Sequence, residues 1–158
     1  MRKLILEDFE EDIDYALIGI HCAIEDYRLV YLLNQKLELH FKRKTEDLCY
    51  SNEFKYPIFE WEDSKQLTVW NLIANKSEKE IMVSTNEISL FMVPEKQIKT
   101  KFLIPEFKKV NFILKISNDC FKTLEKQVLN KILSISQITM AYSIDTSKIK
   151  NTESLIFN

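Results

Sequence analysis

Few of the 158 residues could do chemistry, and they are scattered. Nucleophilic catalysis needs a Ser or Cys beside a His that an acid orients. The only histidines are His21 and His40. His21 sits inside the apolar run Tyr15–Cys22, which predicts a core histidine bonded to backbone. His40 opens the charged stretch His40-Phe41-Lys42-Arg43-Lys44, which predicts an exposed strand end. His21 and Cys22 are adjacent, but neighbours on a strand point to opposite faces and would not act as a pair. Zinc requires Cys or His ligands at tight spacing. Cys22, Cys49 and Cys120 form no such cluster, and their odd number without a CxxC pair fits a reducing compartment. The single glycine, Gly19, excludes a P-loop, a dinucleotide-binding fingerprint and a kinase glycine loop. Glu7, Asp8, Glu10, Glu11, Asp12 and Asp14 lack the alternating frame and central glycine of a calcium loop, and read as a solvated turn or helix start. No catalytic residue, metal site or cofactor is expected.

What remains is charge. The chain carries 22 basic and 24 acidic side chains, unevenly spread. Residues 1–95 hold 11 basic and 19 acidic groups, residues 96–158 hold 11 and 5. Such a split is either a basic contact face or an attraction between two halves of one fold. Lys96, Lys99, Lys101, Lys108, Lys109 and Lys115 crowd one segment against Glu106 alone, with Phe102, Phe107 and Phe112 between them. Lysines interleaved with exposed aromatics suit a nucleic-acid strand. An isoelectric point near 5.8 and only three arginines, Arg2, Arg28 and Arg43, weigh against it.

The elements that must position these groups are legible from periodicity. Tyr15–Cys22 is nearly continuous apolar chain and predicts a central strand buried on both faces. From Ile24 the period changes: Tyr27, Val30, Tyr31, Leu33, Asn34 and Leu37 recur at three and four, predicting a helix over 25–36. Leu37, Leu39 and Phe41 then alternate with polar residues and predict a half-exposed strand. Tyr56–Trp61 and Leu67–Ala74 flank Asp63-Ser64-Lys65-Gln66 as a hairpin that brings Trp61 near Trp70. Short or edge strands are expected at 81–83 and 88–93, and Pro94 and Pro105 punctuate the chain between there and residue 110. Val110, Phe112, Leu114 and Ile116 mark a strong strand. Asn118 or Asp119 caps a helix over 119–134 with the apolar face Phe121, Leu124, Val128, Leu129, Ile132 and Leu133. Ile138, Met140, Tyr142 and Ile144 alternate through a last strand, and Leu155-Ile156-Phe157 form an apolar tail expected to dock on the sheet. The first six residues are too short an apolar run for a signal-peptide core, and no stretch reaches the length of a membrane helix.

Ile104-Pro105-Glu106-Phe107-Lys108-Lys109-Val110-Asn111-Phe112 resembles the signature of the IPExxVDY family, small bacterial proteins without an established activity. The length, Tyr27-Arg28-Leu29 and the end Leu155-Ile156-Phe157 extend the likeness over most of the chain. The resemblance implies no substrate, cofactor or catalytic residue. Asn111 and Phe112 stand where the family pattern has Asp and Tyr, so the general base and the hydroxyl are missing here. The motif therefore reads as structural. Phe112 keeps a core ring, Asn111 an acceptor oxygen, Glu106 a bond to a backbone N–H, and Pro105 sets how the chain enters the strand.

These readings give one α+β domain over 1–158, with a single largely antiparallel sheet and two main helices on one face. The function expected is that of a non-enzymatic cytoplasmic domain that binds another protein through Lys96, Lys99, Lys101, Lys108 and Lys109. The alternative is a nucleic-acid-associated accessory protein using the basic segment 96–115. No membrane association is expected.

Overall fold

The computed structural model of the chain describes residues 15–51, 54–83, 95–118 and 121–157. The acidic run at 7–14, the stretch 88–93, Pro94, Asp119 and the Cys120 side chain lie outside the described residues. Among the described residues ten strands and two α-helices succeed one another: β1 (Tyr15–Cys22), α1 (Asp26–Leu37), β2 (Lys42–Arg43), β3 (Leu48–Ser51), β4 (Phe54–Tyr56), β5 (Ile58–Asp63), β6 (Thr68–Ala74), β7 (Lys76–Val83), β8 (Glu95–Phe102), β9 (Phe112–Ser117), α2 (Phe121–Leu133) and β10 (Ile138–Ser143). Six of the strands form one sheet in the order β10-β1-β9-β6-β5-β2, and β3-β4 and β7-β8 make two small ribbons. Every strand pairing among the described residues is antiparallel. The fold is α+β.

β1 and β9 lie inside the sheet, so their apolar residues are buried on both faces, as their near-continuous hydrophobicity requires. Ile18, Ile20, Leu72, Phe112, Leu114 and Ile116 point to one side, where Leu29, Val30 and Leu33 of α1 and Val128 and Ile132 of α2 cover them. Leu17, Ile73 and Ile113 point to the other side. No α-helix among the described residues covers that face. A 3₁₀ turn at Pro105–Phe107, the segment from Ile144 and Ile149 to Leu155, and Tyr56 of β4 do so instead. Leu155 is fully buried there, so the tail docks on its own sheet as expected, while Ile156 stays exposed.

The hairpin forms with Trp61 opposite Trp70. The carboxylate of Asp63 accepts from the N–H groups of Lys65 and Gln66, and Leu67 takes a left-handed conformation at φ 50°. Two expectations need correction. Leu39 and Phe41 are buried, yet they form no strand: only Lys42–Arg43 pairs. Glu38 ends α1 at φ 55°, and the Asn34 side chain then accepts the Phe41 N–H and donates to its carbonyl, which satisfies that backbone without a ladder. The buried stripe of α1 is also rotated from the expected one. Tyr27 and Tyr31 are more than half exposed, and Leu29 is buried instead. A phenol ring counts as apolar in a periodicity, but its hydroxyl keeps it content in water.

Candidate functional site

The lysine segment begins as β8, an element the sequence pattern does not announce. Residues 95–102 have too few apolar side chains for either face to read as a buried strand. β8 pairs with β7 as a two-stranded ribbon apart from the main sheet, and residues 96–101 are exposed throughout. Register and alternation sort the charges. Lys79 stands directly opposite Lys99, and Lys101, two residues on, shares their face. Glu78 and Glu80 project from the opposite face, with Lys96, Ile98 and Met82. Glu78 is paired with Lys76 at 2.7 Å. Lys79, Lys99 and Lys101 thus gather on one side while the other mixes Lys76 and Lys96 with Glu78 and Glu80, and two lysines directly across from each other repel.

The root of the ribbon is tied down from three sides. Ser77 donates to the Lys55 carbonyl at 2.8 Å, Tyr56 donates to the Lys101 carbonyl at 3.3 Å, and the Lys101 ammonium lies 5.8 Å from the centre of the Phe54 ring. A further tie is Asn75, fully buried between β6 and β7. Its side-chain amide donates to the carbonyls of Phe107 (2.8 Å) and Val110 (3.1 Å), and its oxygen accepts the Ile104 N–H (2.8 Å). Its backbone carbonyl accepts from Leu103, and its N–H donates to Asn111. One asparagine therefore anchors both the ribbon and the segment 104–111. Sequence reasoning misses it, because the only signal is a polar residue ending an apolar run.

That anchored segment is the family-like motif, and its residues are structural parts. Ile104 and Val110 are buried. Pro105 opens the 3₁₀ turn at its first position rather than leading straight into β9. Glu106 accepts the Lys150 N–H at 3.2 Å, Asn111 accepts the Cys22 N–H at 3.0 Å, and the Phe112 ring is buried. Gly19 is explained here too. A Cβ on it would come within 2.9 Å of a Val110 methyl and 3.1 Å of the end of Ile144.

Between the ribbon root, the motif turn and the C-terminal segment lies a groove of about 400 Å³. Phe54, Tyr56 and Phe102 give it aromatic walls, and Lys101, Glu106 and Glu153 bring charge to it. Lys108 and Lys109 are exposed on the turn beside it, with the Lys108 ammonium 5.9 Å from the Phe102 ring centre.

The expected site residues are thus only partly gathered. Lys99 and Lys101 meet, joined by Lys79, which lies outside the lysine-rich segment. Lys96 faces the other way, and Lys108 and Lys109 lie below on the turn. Lys115 leaves the patch altogether. It points to the tail side, donates to the Leu155 carbonyl at 2.7 Å, and lies 4.7 and 5.0 Å from the Tyr15 and Phe157 ring centres. Burial lowers its pKa. The phenylalanines offer bases little ring face: Phe112 is buried, and Phe102 and Phe107 are half-buried. The ion pairs seen among the described residues, Arg43–Asp47, Lys44–Glu60 and Lys76–Glu78, all lie within the acidic half, so none joins it to the basic half.

His21 is half-buried, and its partner is a side chain rather than backbone: Nε2 lies 3.1 Å from the Tyr142 hydroxyl. His40 is exposed and meets Trp61 edge to face. Cys22 is buried in the helix-side core, where burial raises its pKa, and Cys49 is exposed. Among the described residues no helix is long and apolar enough to cross a membrane. No family model, curated protein or solved structure matches the chain.

Proposed function

We propose that the chain is a non-enzymatic, cytoplasmic interaction module that binds an acidic segment of another protein along the lysine face of the β7–β8 ribbon. The observation that carries this reading is the register of the ribbon: Lys79, Lys99 and Lys101 share one side, Lys99 and Lys101 exposed and Lys79 half-buried, while Glu78 and Glu80 point to the other. Like charges directly opposite cost a few tenths to about 1 kcal/mol, and an anionic partner removes that cost. The groove at the ribbon root gives such a segment an aromatic surface to end on. Membership of the IPExxVDY family is proposed on the motif at 104–112 and adds no substrate.

Nucleic acid also carries negative charge, but of the interleaved phenylalanines Phe112 is buried and Phe102 and Phe107 are half-buried, which limits the ring face open to bases. Fluorescence anisotropy with a labelled glutamate-rich peptide and a labelled single-stranded oligonucleotide separates the two. The peptide is expected to bind in a salt-sensitive manner, and Lys99→Glu with Lys101→Glu raises its Kd at least about tenfold while the far-ultraviolet spectrum stays that of the wild type. Preferential binding of the oligonucleotide, or peptide binding indifferent to the double reversal, overturns the reading.

A further inference from the structure

The two edges of the main sheet differ. β2 exposes Lys42 and Arg43, the kind of charged, short strand that blunts an edge. β10 (Ile138-Thr139-Met140-Ala141-Tyr142-Ser143) carries no charge along its length. Its inner side is paired with β1, and the Ile144 N–H continues that ladder onto the Leu17 carbonyl at 2.8 Å. In an antiparallel ladder the direction of the backbone groups alternates. Tyr142 and Met140 therefore turn their N–H and C=O groups inward, and Ala141 and Ser143 turn theirs outward, while the register shift opposite His21 and Cys22 takes Thr139 out of the alternation. β10 is a terminal strand of the sheet, so these outward groups meet no further strand among the described residues.

We infer that β10 pairs with β10 of a second copy of this chain, antiparallel and centred on Ala141, to give one continuous sheet across a two-fold axis. The charge pattern selects the second copy over a charged partner. At such an axis residue i meets residue j and j meets i, so a charge at the centre would face itself and a charge beside it would lie diagonal to its own copy. β10 has none, and its residues complement one another. Ala141 meets Ala141, and the half-exposed Met140 meets Tyr142, a sulfur–aromatic contact. The flanking helix fits the same geometry. Leu124, Gln127 and Lys131 of α2 line a cleft toward the β5–β6 hairpin. The helical period puts Leu129 and Leu133 on the opposite flank, beside β10, where Leu133 is 48% exposed. This surface is separate from the lysine ribbon, and the inference stands without that reading.

Sedimentation equilibrium of the full chain tests it. The wild type is expected to be a dimer in the micromolar range. Met140→Lys and Met140→Glu each weaken self-association at least about tenfold, because diagonal neighbours across the axis then carry like charges. An equimolar mixture of the two variants restores it, a result that misfolding could not produce. Ala141→Pro, which removes only an outward N–H, also weakens it while leaving the far-ultraviolet spectrum intact. A monomeric wild type overturns the proposal. So does a dimer that none of these substitutions weakens.

Discussion

The two faces of the main sheet are covered by different means. On one, α1 and α2 lay down apolar stripes, and each helix satisfies its own backbone internally. On the other, irregular chain runs over the sheet, and its backbone has no ladder to join. That face is held by polar side chains at chosen points: Asn75 grips 104–110, Asn111 takes the Cys22 N–H, Glu106 takes the Lys150 N–H, and Lys115 grips the Leu155 carbonyl. A helical cover needs only hydrophobic residues in the right period. An irregular cover needs in addition a specific donor or acceptor wherever its peptide groups are buried.

The largest break in this comparison is on the helix side. Phe112→Ala should cost about 3–5 kcal/mol, the usual range for a buried Phe truncation. Against a total of roughly 5–15 kcal/mol for an ordinary domain, that loss is plain in a thermal melt. An unmoved midpoint would show that the helix-side core does not depend on this ring.

Next comes the irregular side. Asn75→Ala strips the Ile104 N–H and the Phe107 and Val110 carbonyls of their side-chain partner. A loss of about 3 kcal/mol is expected, since each buried group left unsatisfied costs about 1–3 kcal/mol. The sharper readout is local. Amide exchange should accelerate at Ile104 and Leu103 well before it does at Leu114 in β9. Uniform acceleration over both faces would mean that the covers do not open separately.

The smallest effect is a pH dependence. Burial lowers the Lys115 pKa, so the unfolded chain binds the proton more tightly than the folded one. Stability linked to this group therefore rises as pH climbs from the lowered folded value toward the ordinary lysine value of 10.5. Tyr15, whose pKa burial raises, works in the opposite sense from about pH 10 upward, so the useful window lies below that. Measured as a difference in midpoint, wild type should gain on Lys115→Met across that window. A difference that stays flat, or moves the other way, would show that the tail contact does not desolvate the ammonium.

The same contrast explains which features are legible in the sequence. β1, β9, both helices and the Trp61–Trp70 hairpin are driven by periodicity, and periodicity is written in consecutive residues. The interior of the irregular face is not periodic. Asn75 is an anchor only because residues 103–111 return to it from far along the chain. β8 gives no local signal because its pairing rests on backbone and on β7 rather than on a buried apolar face. The lysine segment itself is visible as composition. Which of its members share a side, and that Lys79 joins them while Lys115 departs, depends on register that no local pattern encodes.

The position of β1 has a consequence for how quickly the chain organises itself. β1 is flanked by β9 and β10, and His21 touches Tyr142 across a separation of 121 residues. Neither strand lies near it in sequence, so closing this part of the sheet means surrendering the entropy of a very long loop before any ladder bond is made. Topologies of this kind fold in milliseconds to seconds rather than microseconds. Until β9 and β10 arrive, the segment Tyr15–Cys22 is an uncharged, apolar strand with both edges open, the species most prone to wrong partners during synthesis.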